Sequence, residues 1–495
     1  MKAGVAMTAL LVSVGFGSAQ GCGSSDDSSF PNGSNDGGGA NGEGGGPGFG
    51  GGGDGGEACT AGLCTQAVDC SGQGTGDTTI SGIVTDPAGK NPLYNIQVYI
   101  PNVPASVPSY TDGPSCDVCG TSIPGGVASS AVTGIDGSFK LTKVPVGANI
   151  PVIVQVGKWR RTYTFANINK CVDNAAPSND VYRLPKNQSE GHIPHIALTT
   201  GGADSMECFF RRMGIDDAEF APTTGRIRLY AGKGTGGGNP QNPTIKFDPA
   251  VNGGAAFPDS RAFWNDITQM NAYDIVVYSC EGQAYDGTPN NGPDDKTAHG
   301  IPNTADFLNR GGKVFASHWH RGFFSLDPKL STIATWDDLD NPTPDPSTGT
   351  IDDGFPKGAA FRDWLVKVGA SPTADVLSIG NPRQNSYKVV APGTEWAYIK
   401  TSKSASSHED HVPEFTTVDT PVGAADTALC GKAAFSDLHV SSGVGGDHAG
   451  SGDTWPTICA SPVGDLSAQE KALEFLFFDL SACVQNDSVA PPPPR

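Results

Sequence analysis

From His195 to Ser317 the sequence alternates short apolar runs with amphipathic stretches, an order that few folds can accommodate. His195–Thr200 reads as a buried strand, and Ile227–Tyr230, Asp274–Ser279 and Lys313–Ser317 follow it. Helices are expected between them, opening at Asp204, over Asp259–Met270 and over Thr304–Arg310. Strands alternating with helices at this spacing argue for a parallel α/β sheet with right-handed crossovers. Asp204 with Glu207 three residues on reads as an acidic capping box. Met206, Phe209, Phe210 and Met213 fall on one face of that helix, and Gly214 stops it.

Two of these strands end abruptly in reactive side chains. Tyr273–Ser279 runs into Cys280 and Glu281, and Lys313–Ser317 runs into His318, Trp319 and His320. A later strand, Lys432–Ser436, ends in Asp437, Leu438 and His439. Residues just past the carboxyl ends of neighbouring strands share one crevice in an open parallel sheet. Cys280, Glu281, His318, His320 and His439 are therefore candidate neighbours.

Three chemistries suit that set. Cys280 can act as a nucleophile, with His318 or His439 as base and Glu281 orienting the base. Alternatively His318 and His320, which point the same way if the backbone stays extended, bind a divalent metal such as zinc with His439 or Glu281 completing the shell. His408–His411 offers further ligands. In the third reading nothing is catalysed, and Trp264, Trp319, Phe323 and Phe324 form either core or a stacking surface for cell-wall glycan or peptide. The loop 232–238 is glycine-rich but lacks the closing Gly-Lys-Ser/Thr and a following helix, which sets phosphate binding aside.

After a Pro/Asp loop over Asp337–Pro356 come a helix over Ala359–Val368, strand-like stretches at Ser386–Val390 and Trp396–Lys400, and a last helix opened by the capping box Ser467 and Glu470.

The amino terminus belongs to a different class of sequence. Residues 1–22 read as an export signal, with Lys2, an apolar run from Ala3 to Phe16, and Ser18–Cys22 resembling a lipoprotein processing box that lipidates Cys22. Fifteen of the 24 residues from Gly33 to Gly56 are glycine, so 23–75 reads as a disordered tether followed by a small cysteine cluster. The expected address is the cell envelope, lipid-anchored in an outer or cell-surface membrane, with secretion as the alternative. Eleven cysteines remain after Cys22, and an odd number leaves at least one thiol over. Cys116 and Cys119 are expected in structural disulfide bonding. A net charge of −20 repels phosphate backbones and excludes nucleic acid as a partner.

Residues 76–172 show period-2 strands bounded by turn formers, at Thr78–Asp86, Asn95–Ile100, Ser138–Leu141, Ile150–Val156 and Thr162–Phe165, and predict a β-sandwich. The stretches SGIVTDPAGKNPLYNIQVYIPN and AVTGIDGSFKLTKVPVG resemble the carboxypeptidase regulatory-like, transthyretin-like domain. That resemblance implies an Ig/transthyretin-like accessory or spacer module. In 190–485, YDIVVYSCEG, ADFLNRGGKVFASHWH and GKAAFSDLHVSSG resemble the class I glutamine-amidotransferase-like fold of the trehalose-utilisation type. It implies a three-layer parallel-sheet domain with a nucleophile elbow after the strand that ends at Ser317. Here the elbow reads Ala-Ser-His-Trp-His, with no cysteine and no flanking glycines, which counts against glutaminase chemistry. The expectation is thus a multidomain, lipid-anchored surface protein with a binding or structural role, a disordered proline tail over 486–495, and a hydrolase at the crevice as the alternative.

Overall fold

The computed structural model describes residues 59–72, 76–174, 176, 182–232, 246–287, 294–336, 345–400, 411–440, 454–459 and 466–495. The export signal, Cys22, most of the tether, loop residues 233–238 and His408–Asp410 lie outside the described residues.

β-Branched and aromatic residues fix the central strands. Ile196–Thr200, Ile275–Tyr278, Lys313–Ser317 and Gly431–Ser436 are buried at every position, as strands covered on both faces must be. They belong to a nine-stranded mixed sheet. Its parallel half runs in the order Ile227–Ala231, Ile196–Thr200, Ile275–Tyr278, Lys313–Ser317 and Gly431–Ser436. The antiparallel half continues through His411–Thr420, Thr394–Lys400, Ser347–Ile351 and Val376–Ile379. Ser347–Ile351 lies inside the stretch expected to be loop, because its polar alternation gave no apolar signal. Leu198, Val277, Phe315 and Ala434 face one core, and Ala197, Val276, Val314 and Ala433 face the other, the period-2 alternation of a sheet.

The expected helix over Asp259–Met270 is two. Ser260–Trp264 is capped by Asp259, and Asp266 starts Ile267–Met270 by accepting from the amides of Thr268 and Gln269. Asn265 closes the first helix, its amide donating to the carbonyls of Arg261 and Phe263. The closing helix Ala468–Ser481 carries the expected capping box at Ser467 and Glu470.

Residues 79–192 hold a five-stranded antiparallel sheet, in which Gln97–Pro101, Val127–Val132, Gly147–Val156 and Trp159–Ile168 are the long members, and a second small sheet built on Thr79–Thr85 and Ser138–Leu141. The closing helix joins this region to the large sheet. Phe475 stacks on Tyr94 and packs against Phe361, Phe478 meets Trp159 edge-on, and Phe477 meets Phe210. One apolar cluster therefore runs from Ile80 to Ala482, and Ala58–Arg495 is one compact unit.

Five disulfides add covalent ties: Cys59–Cys64, Cys70–Cys171, Cys116–Cys430, Cys119–Cys483 and Cys208–Cys459. Cys116 and Cys119 bond to distant partners and not to each other. Such bonds are the chemistry of an oxidising compartment. No helix among the described residues is long and apolar enough to cross a membrane. The final ten residues, expected to be disordered, run back along the chain: Asp487 pairs with Lys357 at 2.8 Å, and the Ile123 amide donates to the Arg495 carbonyl at 2.6 Å.

Candidate functional site: a buried Cys–His–His cluster

The strand Lys313–Ser317 does not run straight on. At His318 φ is 42°, in the left-handed region, and the chain turns into the short helices His318–Arg321 and Gly322–Ser325. That conformation costs a non-glycine residue about 1–2 kcal/mol, so packing around it must hold it. The result is a strand–strained residue–helix elbow with an imidazole at its tip.

Neighbouring strand ends supply the other donors. Cys280 follows Ile275–Tyr278, and its Sγ lies 3.2 Å from His318 Nδ1. His439 follows Gly431–Ser436, and its Nε2 lies 3.1 Å from the same Nδ1. Ligand atoms of Cys280, His318 and His439 all lie within 4.8 Å of one another, and the three residues are buried. Cys280 is also the one free cysteine among the described residues, the leftover thiol that the odd count requires.

Asp204 organises this corner. One carboxylate oxygen accepts from Ser317 Oγ at 2.7 Å and the other from the Val440 amide at 2.8 Å. Ser317 Oγ in turn accepts from the Cys280 amide at 3.0 Å. Three strand ends are thus tied through one carboxylate. The helix beside it, Met206–Arg212, has Ser205 as its N-cap and no side-chain cap bond, which corrects the expected capping box: Asp204 is spent on the site. Gly201 leaves room for the Cys280 carbonyl, since a Cβ there would come within 2.0 Å of that oxygen.

Two expected members stand apart. The turn at His318 breaks the extended backbone that the same-side reading of His318 and His320 needs, so His320 leaves the metal set and lies among Trp264, Tyr278 and Phe323. Glu281 faces Lys296 Nζ at 3.3 Å and His320 Nε2 at 3.9 Å, and so does not orient a base for Cys280. Lys296 is fully buried, donates to the Ala284 carbonyl at 2.6 Å, and sits over the rings of Trp264, Tyr285 and Phe323 at 5.4–5.9 Å. Trp264, Phe323 and Phe324 are 0% exposed and Trp319 is 8% exposed, so these four rings are core and not a stacking surface. Asn381, which the sequence did not single out, lies with its amide nitrogen 3.3 Å from His439 Nδ1.

The electrostatics follow from burial. Desolvation pushes the Cys280 thiol well up, against smaller opposing help from the Trp319 and Gly282 amides. The Gly282 amide donates to its sulfur at 3.4 Å. Desolvation holds His439 well below the usual imidazole range, with His318 and the positive Arg383 adding to it. His320 is held down likewise by burial and by the Lys296 charge. Neutral imidazoles offer lone pairs, whereas a protonated, water-excluded thiol is a poor nucleophile.

His318 Nδ1 has one in-plane site, either a lone pair or a hydrogen. It cannot make a full hydrogen bond to both the thiol and His439. A cation at the centre would use all three atoms at once, with Cys280 giving up its proton.

In comparison with known proteins, no family model matches this chain and no curated protein matches it.

Proposed function

We propose that this chain is an exported, lipid-anchored metal-binding protein whose working centre is Cys280, His318 and His439. In this reading the transthyretin-like β-sandwich is an accessory module, and the amidotransferase-like sheet has exchanged its nucleophile elbow for a metal-ligand elbow. The observation that carries it is the convergence of one sulfur and two ring nitrogens, from three strand ends, within 4.8 Å. Thiolate and imidazole together suit zinc or copper better than magnesium or calcium, which take oxygen ligands. A metal-bound imidazole donates its other ring N–H to an acceptor, so metal binding through His439 Nε2 requires the Asn381 side-chain amide, whose nitrogen lies 3.3 Å from His439 Nδ1, to turn its oxygen toward that atom. A hydrolase built on a Cys280 nucleophile is disfavoured by the residue's complete burial and raised thiol.

Metal analysis of the purified chain, before and after chelation, tests the proposal. One equivalent of a transition metal is expected, lost in Cys280→Ser and His439→Ala. A folded chain, its disulfides intact, that takes up no zinc and no copper after dialysis against either ion would end this reading.

A further inference from the structure

Resting on the metal reading above, we infer that the site takes copper and carries single electrons, cycling between copper(II) and copper(I), and does not activate water. One thiolate and two imidazoles form the donor set of trigonal copper electron-transfer centres. Ring nitrogens 3.1 Å apart and a sulfur 3.2 Å from one of them bring all three donor atoms within 4.8 Å of one another.

Burial separates this role from zinc hydrolysis. A hydrolytic zinc keeps a coordination position open to water and substrate. Cys280 is 0% exposed, and His318 and His439 are each 1% exposed. Electron transfer asks for no substrate contact. It asks instead for a donor set that stays put in both oxidation states, and the Asp204–Ser317–Cys280 chain of hydrogen bonds supplies that rigidity.

The sulfur environment fits as well. Main-chain amides of Gly282 and Trp319 both act on Cys280 Sγ, and hydrogen bonding around a copper thiolate tunes its potential. Every other described cysteine is in a disulfide, so copper has no second thiol in the described chain with which to oxidise Cys280. Trp319 gives a route outward. Its ring lies 4.9 Å from the His318 ring, it is more exposed than any of the three ligands, and the Arg321 guanidinium sits 5.5 Å above it.

The step balances simply. Copper(II) bound to the Cys280 thiolate takes one electron from an external one-electron carrier, such as a reduced haem protein, and becomes copper(I) thiolate. An external one-electron oxidant removes the electron again. No ligand bond forms or breaks, and no proton moves.

The test uses the full chain stripped by chelation, with its disulfides intact, and adds zinc(II) or copper(II) in separate arms. Copper(II) is expected to give one equivalent of an intensely coloured species with thiolate-to-copper charge-transfer absorption, bleached by ascorbate and restored by hexacyanoferrate(III). Cys280→Ser should lose the colour while keeping the wild-type circular dichroism. Trp319→Phe should keep the colour and slow its bleaching by a reduced haem protein several-fold. If zinc binds but copper(II) gives no charge-transfer band, the copper inference falls and the metal reading stands. If neither ion binds, both fall.

Discussion

Asp204 holds Ser317: its carboxylate accepts the Ser317 hydroxyl at 2.7 Å, from a position 113 residues earlier in the chain. Through that contact, the loop after Ile196–Thr200 sets where His318 turns and where the Cys280 amide points. Asp204→Ala removes an acceptor from the Ser317 hydroxyl and from the Val440 amide. Hydrogen bonds to a buried charge contribute about 1.5–3 kcal/mol each, so the two together predict a loss of about 3–6 kcal/mol. Metal affinity should fall by about 10–100-fold, the usual effect of removing an outer-shell partner. Denaturant unfolding and metal titration of the same variant measure the two effects, and an unchanged metal affinity would detach Asp204 from the site.

Lys296 is a fully buried cation beside Glu281 and three aromatic faces. Replacing one member of a buried pair costs about 3–5 kcal/mol, whereas replacing both with apolar or neutral groups costs far less. Lys296→Met should therefore be strongly destabilising, and Lys296→Met with Glu281→Gln should recover most of the loss. A double-mutant cycle by chemical denaturation reads the coupling, and additive losses would contradict it.

Asp86 and Glu474 are neighbouring buried carboxyls between the Thr79–Thr85 strand and the closing helix, Asp86 accepting from the Lys90 amide at 2.7 Å and Glu474 from the Asn91 side-chain amide at 2.7 Å. Desolvation raises both, Asp86 to about 6. The folded state therefore binds protons more tightly than the unfolded chain. Stability falls as pH rises from the ordinary carboxyl range, about 4, through about 6 and beyond. Glu474→Gln should stabilise the protein by about 1–3 kcal/mol at pH 8 and by little at pH 4. Melting curves across that range decide it, and a gain that did not depend on pH would rule out the titration as its cause.

Cys280 is buried and its thiol is pushed up, so a disulfide reagent should not label the native, metal-free chain on the timescale on which it labels the unfolded one. One thiol per described chain is expected after denaturation without reductant. Rapid native labelling would mean that the crevice opens readily, and would revive the nucleophile.

Much of this site was legible in strand patterning. Apolar runs located Lys313–Ser317 to the residue and put Cys280, His318 and His439 at three strand ends, while cysteine parity demanded a free thiol. What escaped the sequence depends on long-range choices. Same-side placement of His318 and His320 assumed a straight backbone, and a single left-handed residue undid it. Glu281 went to a lysine fifteen residues on, in a stretch with no periodic signal. Asp204 looked like a helix cap because capping and site duty need the same short carboxylate, and only the fold decides which donors reach it. Ser347–Ile351 was hidden in a Pro/Asp stretch since its pairing comes from Thr394–Lys400 and Val376–Ile379, not from its own apolar content.

The disulfides carry a last consequence. Cys70–Cys171, Cys116–Cys430 and Cys119–Cys483 overlap in sequence, so every peptide bond from residue 70 to residue 483 is spanned by at least one bridge. A protease that cuts this stretch once releases nothing. The nicked protein migrates as a single species until it is reduced, and Cys280, His318 and His439, all within that span, remain covalently joined after the cut.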